Sequence, residues 1–242
     1  MSTEALYAAD SSLKIFQSEV TAVNEQDNCI ALAASAFYPG GGGQPADQGA
    51  LDWGTGPQAV TRLQKDREGN IWHYLGVPLP AIGQKVNGQI DWTRRYQLMR
   101  THTAMHILCG VVYRDYGALV TGGDMEPLKG RMDFEFESLQ KEFVQVIEAA
   151  VNREIKAARD VRIALHTREE AFQIPDLIRT KINLLPEGIM VIRTVEIVGL
   201  DLQADGGTHV QNTLEVGHMR IVDYKSKGKI NKRIYVEISD EE

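Results

Sequence analysis

The feature that most constrains this chain is a change of hydrophobic period near Trp92. Before it, apolar residues come in short runs cut by turn residues: "SLKIFQSEVTAVN" and "CIALAASAFY" around "NEQDN", then "AVTRLQKD", "REGNIWHYL" and "GQKVNGQID". Short alternating runs with regular Gly and Pro punctuation predict a small β-barrel or sandwich. After Trp92 the spacing turns helical. "TRRYQLMRTHTAMHILCGVVYRDYG" reads as an amphipathic helix. "ESLQKEFVQVIEAAVNREIKAARD" carries a stripe of Leu139, Phe143, Val146, Ile147, Ala150, Val151 and Ile155. "VRIALH" alternates as a strand, and Thr167 and Glu170 stand in capping-box spacing at the head of a further helix, "TREEAF". The tail returns to strands in "GIMVIRTVEIV", "HMRIVDYKS" and "INKRIYVEIS". The fold class read from this pattern is α+β: an N-terminal small β-barrel over residues 1–90, then an α+β module over 91–242 with helices packed on a mostly antiparallel sheet.

Composition removes several classes. No stretch approaches the ~20 consecutive apolar residues of a membrane span. The opening "MSTEALYAAD" lacks the basic head and apolar run of a secretory leader, so a cytoplasmic chain is expected. Cys29 and Cys109 sit among apolar residues and are expected as buried thiols rather than a disulfide framework. A net charge of −7 argues against a chain coated for nucleic acid but leaves room for a local basic patch. The candidates for one are Arg94, Arg95 and Arg100, and Lys225, Lys227, Lys229, Lys232 and Arg233 near the C-terminus.

Three stretches carry chemistry. "HTAMH" sets His102 and His106 four residues apart, on one face of a helix. That spacing suits two ligands of one metal ion, and it equally suits two histidines finishing a core-facing stripe. "ADGGTHV" sets Asp205 and His209 four apart around Gly206 and Gly207. Paired glycines bend the backbone tightly and bring N–H groups close to whatever lies opposite. Asp205 and His209 can then add oxygen and nitrogen donors of the kind Zn²⁺ accepts. A plain Asp-Gly-Gly turn followed by an incidental histidine is the other reading. In "FYPGGGGQPADQG" the run Gly40–Gly43 costs conformational entropy to order and suggests a close backbone approach. Tyr38, Pro39, Gln44 and Pro45 are poor linker residues, and the lysine and spacing of a nucleotide-binding P-loop are missing. His73, in "IWHYL", reads as a barrel residue.

Together and in this order, the three stretches resemble the editing domain of alanyl-tRNA synthetase and its free-standing relatives, the AlaX proteins. With the glycine motif in a barrel ahead of the histidines, the resemblance is to the medium class. It runs through "IDWTRRYQLMRTHTAMHILCG" and "ADGGTHVQNTLEVGHMRIV" and leaves no room for an aminoacylation module. It implies trans-editing with a tRNA partner: hydrolysis of the ester in mischarged Ser-tRNA(Ala), and of Gly-tRNA(Ala) as a further candidate, with bound Zn²⁺. It places metal ligands on His102, His106 and His209, with Asp205 standing where the family commonly has cysteine. A carboxylate is harder than a thiolate and lets other metals compete. Four ligands fill a tetrahedral site, so water or substrate needs a fifth position or a displaced ligand, for which Asp205 is the candidate.

Gln44 and Thr208 match family positions and are taken as the catalytic pair that positions substrate. Gly41, Gly42, Gly43, Gly206 and Gly207 are taken as substrate-binding through their backbone. Such an enzyme must destroy the seryl ester and spare the alanyl one. A site built to hydrogen-bond the seryl hydroxyl can reject its absence by ~10⁴-fold. Other readings stay open: a deacylase of another mischarged tRNA such as Ser-tRNA(Thr), a small-molecule metallohydrolase, or a non-catalytic zinc-stabilised RNA-binding module.

Overall fold

The computed structural model describes residues 2–76, 78–135, 141–174, 177 and 190–240. The chain divides into two compact units, Met1–Tyr96 and Gln97–Glu242. In the first, the elements are β1 (Glu4–Ala5), α1 (Leu6–Ala9), β2 (Ile15–Asn24), β3 (Cys29–Leu32), β4 (Ala34–Ser35), β5 (Gly49–Asp52), β6 (Gln58–Lys65), β7 (Ile71–Leu75) and β8 (Lys85–Ile90). Six strands close a barrel in the order β2-β3-β7-β6-β5-β8. Alternation fills it: Phe16 and Val20 of β2, Ile71 and Leu75 of β7, and Val86 and Ile90 of β8 are buried together with Leu51 and Phe37.

The glycine motif is built on positive φ. Gly40, Gly41, Gly42 and Gly43 have φ of 90°, 133°, 58° and 86°. Gly41 and Gln44 exchange backbone hydrogen bonds of 3.0 and 2.9 Å, closing a two-residue turn of the type that needs positive φ at both central positions. A Cβ on Gly42 would meet nothing within 4 Å. A Cβ on Gly40 would fall 3.2 Å from the Ala46 backbone nitrogen, so the run answers a backbone requirement with a close approach at its first glycine, and a tighter one lies further on. At Gly49, a Cβ would fall 2.1 Å from the Gln89 carbonyl oxygen and 2.8 Å from the Phe37 ring. Fully buried Arg95 ties down this stretch. Its guanidinium donates to the Ser11 and Ala36 carbonyls and pairs with Asp47, which also accepts the Tyr38 N–H.

His73 is, as expected, a barrel residue. It is fully buried, with Nε2 2.9 Å from Ser35 Oγ, and burial pushes its imidazole down to about 4. The unfolded chain then binds more protons than the folded one between about pH 4 and 6.5, so stability rises with pH across that window and is lost as pH falls through it. Urea unfolding is expected to weaken by on the order of 3 kcal/mol from pH 7 to 4 on account of this one group. In His73→Gln that part of the pH slope should vanish; an unchanged slope would assign it elsewhere.

The second unit takes α2 (Trp92–Tyr116) from Gln97 onward, then β9 (Val120–Glu126), β10 (Lys129–Glu135), α3 (Lys141–Lys156), β11 (Val161–Thr167), α4 (Arg168–Gln173), β12 (Val191–Ile197), β13 (Asp201–Ala204), β14 (His218–Ser226) and β15 (Asn231–Ser239). The strands form two antiparallel sheets, β14-β15-β10-β9 and β11-β12-β13. The whole is α+β, as the pattern of periods predicts. The capping box at α4 is formed: Thr167 Oγ1 accepts the Glu170 N–H at 3.2 Å, and Glu170 Oε2 accepts the Thr167 N–H at 2.8 Å.

α2 is not the amphipathic helix expected, because every residue from Leu98 to Val112 is buried. It has a neighbour on more than one side. Met105 packs onto β9 and β10, where a Cβ at Gly130 would fall 2.8 Å from its Sδ. On another face, a Cβ at Gly110 would fall 2.9 Å from Leu200 Cγ, in the turn between β12 and β13. Hairpin β9–β10 has no counterpart in the sequence reading, since Gly122, Gly123 and Gly130 hide its alternation while making room for the helix. In α3 the stripe is Val144, Ile147, Ala150, Val151 and Ile155. Val146, one step off that face, is 56% exposed, and Leu139 lies outside the described residues.

Candidate metal centre

The two spaced pairs of the sequence meet. His102 and His106 project from consecutive turns of α2 with ring centroids 5.1 Å apart, and the His209 ring lies 4.3 Å from the first and 4.8 Å from the second. One donor atom from each of His102, His106, Asp205 and His209 falls within 4.8 Å of all the others, a group that can hold a metal ion. Imidazole and carboxylate donors together suit a first-row divalent ion such as zinc.

The loop after β13 shapes its own half of the cluster. Asp205 Oδ2 accepts the Gly207 N–H at 2.7 Å, an Asx turn, and lies 2.9 Å from His209 Nε2. Asp205 Oδ1 lies 3.5 Å from His102 Nε2. Arg193, in β12, donates from Nη1 to the Asp205 carbonyl oxygen at 2.9 Å. The far nitrogens of two imidazoles are also held. His209 Nδ1 lies 3.2 Å from Thr103 Oγ1, which accepts the Val210 N–H as well. His106 Nδ1 lies 3.0 Å from Asp201 Oδ2.

Burial sets the protonation. It pushes His102 well below the usual histidine range and His209 down to about 4, so both stay neutral with a lone pair to offer. For His106 burial is again the largest influence and works against the charged ring, but the Asp201 hydrogen bond and the charges of Asp201 and Asp205 together outweigh it and raise the group. Burial works against the Asp205 carboxylate too; its imidazole neighbours, His102 first and hydrogen-bonded His209 next, hold it well below the usual carboxylate range. Neutral imidazole and ionised carboxylate are the forms that bind metals.

Gly207 and Thr208 lie in this loop and are buried, whereas Gly206 is exposed. Gln44 and Gly41, Gly42 and Gly43 belong to the first unit, where Gln44 is buried and Gly41 and Gly42 are exposed. The basic candidates separate sharply. Arg95 is the buried strut described above; Arg100 is buried and donates to the Val216 and Ser239 carbonyls; Lys232 is buried and donates to the Gly228 and Lys229 carbonyls. These three are turned to structural bonds, and Arg233 holds Asp133 with two hydrogen bonds. Lys225, Lys227 and Lys229 remain exposed.

Sequence reasoning missed Thr103, Arg193, Asp201 and Gln203. A signal for two of them was present: in "DLQAD", Asp201, Gln203 and Asp205 follow the period of a strand and share a face.

Two family models match the chain. The threonyl and alanyl tRNA synthetase second additional domain matches residues 192–235, and the class II (A) tRNA synthetases match residues 4–94. The chain is 40% identical over 235 residues to the alanyl-tRNA editing protein AlaX-M of Saccharolobus solfataricus, covering 96% of this chain and 98% of that one. It is 35% identical over 246 residues to AlaX-M of Methanosarcina mazei, covering 99% and 98%. Against the alanine–tRNA ligase of Ignicoccus hospitalis, identity is 37% over 91% of this chain but only 24% of the ligase.

Proposed function

The chain belongs to the AlaX-M family of alanyl-tRNA editing proteins, and from that premise we propose that it is a trans-editing deacylase. Its substrate is Ser-tRNA(Ala), with Gly-tRNA(Ala) second, and its cofactor is Zn²⁺. The observation that carries the proposal is the buried meeting of four donors from two distant stretches, His102 and His106 with Asp205 and His209. In this reading residues 1–90 are the glycine-motif domain and 91–242 the deacylase domain.

Bound zinc supplies Lewis-acid stabilisation of charge on the ester oxygen. The chain's own residues do the rest. His102 and His209 offer neutral nitrogens, His106 offers Nε2, and the Asp205 carboxylate balances charge while its Oδ2 accepts the Gly207 N–H. Thr208 and Gln44 are assigned to positioning the substrate, and the backbone of Gly41, Gly42, Gly43, Gly206 and Gly207 to binding it. A hydroxyl–hydroxyl contact to the seryl side chain separates serine from alanine far better than an apolar pocket would.

Deacylation assayed side by side on Ser-tRNA(Ala), Gly-tRNA(Ala), Ser-tRNA(Thr) and Ala-tRNA(Ala) tests the assignment. Ser-tRNA(Ala) should be cleared fastest and Ala-tRNA(Ala) spared. Clearance of Ser-tRNA(Thr) alone would move the substrate, and no clearance with metal bound would leave a zinc-stabilised binding module.

tRNA is an anionic partner for a chain of net charge −7, so binding needs a concentrated cationic track. We assign it to the exposed Lys225, Lys227 and Lys229 at the β14–β15 turn. Neutralising all three should flatten the plot of log affinity against log salt by about 2 to 3. An unchanged slope would place the track elsewhere, with Arg94 next.

A further inference from the structure

We propose that Asp201 and Gly110 form a positioning pair that fixes His106 as a metal ligand through Nε2, an inference that rests on the metal reading of the cluster. Asp201 Oδ2 lies 3.0 Å from His106 Nδ1, and Gln203 Nε2 donates to the same oxygen at 2.7 Å. An ionised carboxylate has no proton to give, so the proton on the first line sits on Nδ1, and Nε2 is the atom His106 has left to offer.

The rest of Asp201 is unusual for a structural carboxylate. Its side chain is fully buried, and its ion-pair partner among the described residues is the His106 imidazole. Its Oδ1 is buried with no hydrogen-bond partner among the described residues. A carboxylate so thinly neutralised is costly in a fold that needs it only for packing. Positive charge on the far side of the imidazole accounts for it.

Gly110 makes the contact possible. It stands four residues after His106, as His106 stands four after His102, so the three share one face of α2. A Cβ at Gly110 would fall 2.9 Å from Leu200 Cγ, 3.1 Å from Asp201 Cβ and 3.2 Å from the Leu200 carbonyl oxygen. Any side chain there pushes the β12–β13 turn off the helix and Asp201 away from His106. The support is uneven across the cluster, because His209 Nδ1 faces a neutral hydroxyl, that of Thr103, at 3.2 Å. A carboxylate behind an imidazole raises its basicity as a ligand more than a hydroxyl does, so His106 is the nitrogen donor tuned to hold the ion.

Zn²⁺ affinity of the full chain, measured by competition with a chromophoric chelator, tests the pair when thermal unfolding of the metal-free protein is recorded on the same samples. Asp201→Ala should lose about 10- to 100-fold in affinity. Asp201→Asn, which keeps an acceptor oxygen toward Nδ1 without the charge, should lose less, and Gly110→Ala should lose affinity while keeping every donor. Metal-free Asp201→Asn should melt at or above the wild-type temperature, because a buried charge is gone. If Asp201→Ala fails to fold, the near-isosteric Asp201→Asn carries the comparison. Lowered metal-free melting with affinity within about twofold of wild type would overturn the proposal and make Asp201 a packing residue. Failure of the wild-type chain itself to take up zinc is a separate result, since it removes the metal reading and this role together.

Discussion

Replacing His102 with alanine is expected to strip the metal and the deacylase activity together while leaving a folded protein. His102 contributes one imidazole to a cluster whose donors all lie within 4.8 Å of one another. Its loss leaves two imidazoles and one carboxylate, and the site loses charge stabilisation worth several kcal/mol, which is roughly 10³-fold or more in rate. The fold should survive because Asp205 keeps the Gly207 N–H and His209. His106→Ala should abolish activity equally but cost stability as well. It removes the hydrogen bond to Asp201 Oδ2 and leaves a fully buried carboxylate with Gln203 Nε2 as its remaining side-chain donor among the described residues. Metal content and the rate on Ser-tRNA(Ala), measured on the same preparations, decide the matter. A metal-free His102→Ala that still deacylates at the wild-type rate would exclude the metal mechanism.

The donors were legible in the sequence because their spacing is local. A helix puts residues four apart on one face, and an Asp-Gly-Gly-x-His loop folds back on itself, so each half of the cluster announces itself within five residues. The capping box of Thr167 and Glu170 was legible for the same reason. What escaped is the set of groups whose meaning depends on a distant partner. Asp201 is an ordinary strand residue until Gly110 lets its turn dock on α2, and Thr103 is an ordinary helical threonine until His209 arrives at 3.2 Å.

Sequence also misjudges residues whose burial depends on what packs around them. Arg95 and Arg100 read as cations near the metal helix, yet both are buried and spent on backbone carbonyls of segments far along the chain. α2 reads as one-sided because alternating polar residues break its stripe. Those polar residues turn out to be His102, His106, Thr101 and Thr103, each engaged inside. Glycines are only partly legible. Gly40–Gly43 suggested close approach, which Gly40 makes to the Ala46 backbone while all four serve positive φ, whereas Gly110 and Gly130 carry no local signal and are positions where α2 meets its neighbours.

Asp205 stands where the resemblance leads one to expect a cysteine, and its replacement should separate two roles. Its Oδ2 is already taken up by the Gly207 N–H at 2.7 Å, with the Arg193 guanidinium 3.7 Å away, so Oδ1, 3.5 Å from His102 Nε2, is the oxygen placed to bind an ion. If it does, Asp205→Asn should lower zinc affinity by ~10- to 100-fold or more, since the amide keeps the shape of the side chain and loses its charge. Asp205→Cys should hold zinc more tightly and with a stronger preference over harder metals, because a thiolate is the softer donor. Gly206 helps that substitution, as it is exposed and a Cβ there would meet nothing within 4 Å, so the turn can adjust. The opposite pattern belongs to a helper role, in which three histidines bind the ion and Asp205 orients water or an imidazole. Zinc stoichiometry in Asp205→Asn would then stay near wild type while the deacylation rate falls. Stoichiometry and rate measured together on Asp205→Asn and Asp205→Cys distinguish the two, and the direct line from Oδ1 to the His102 nitrogen favours the ligand.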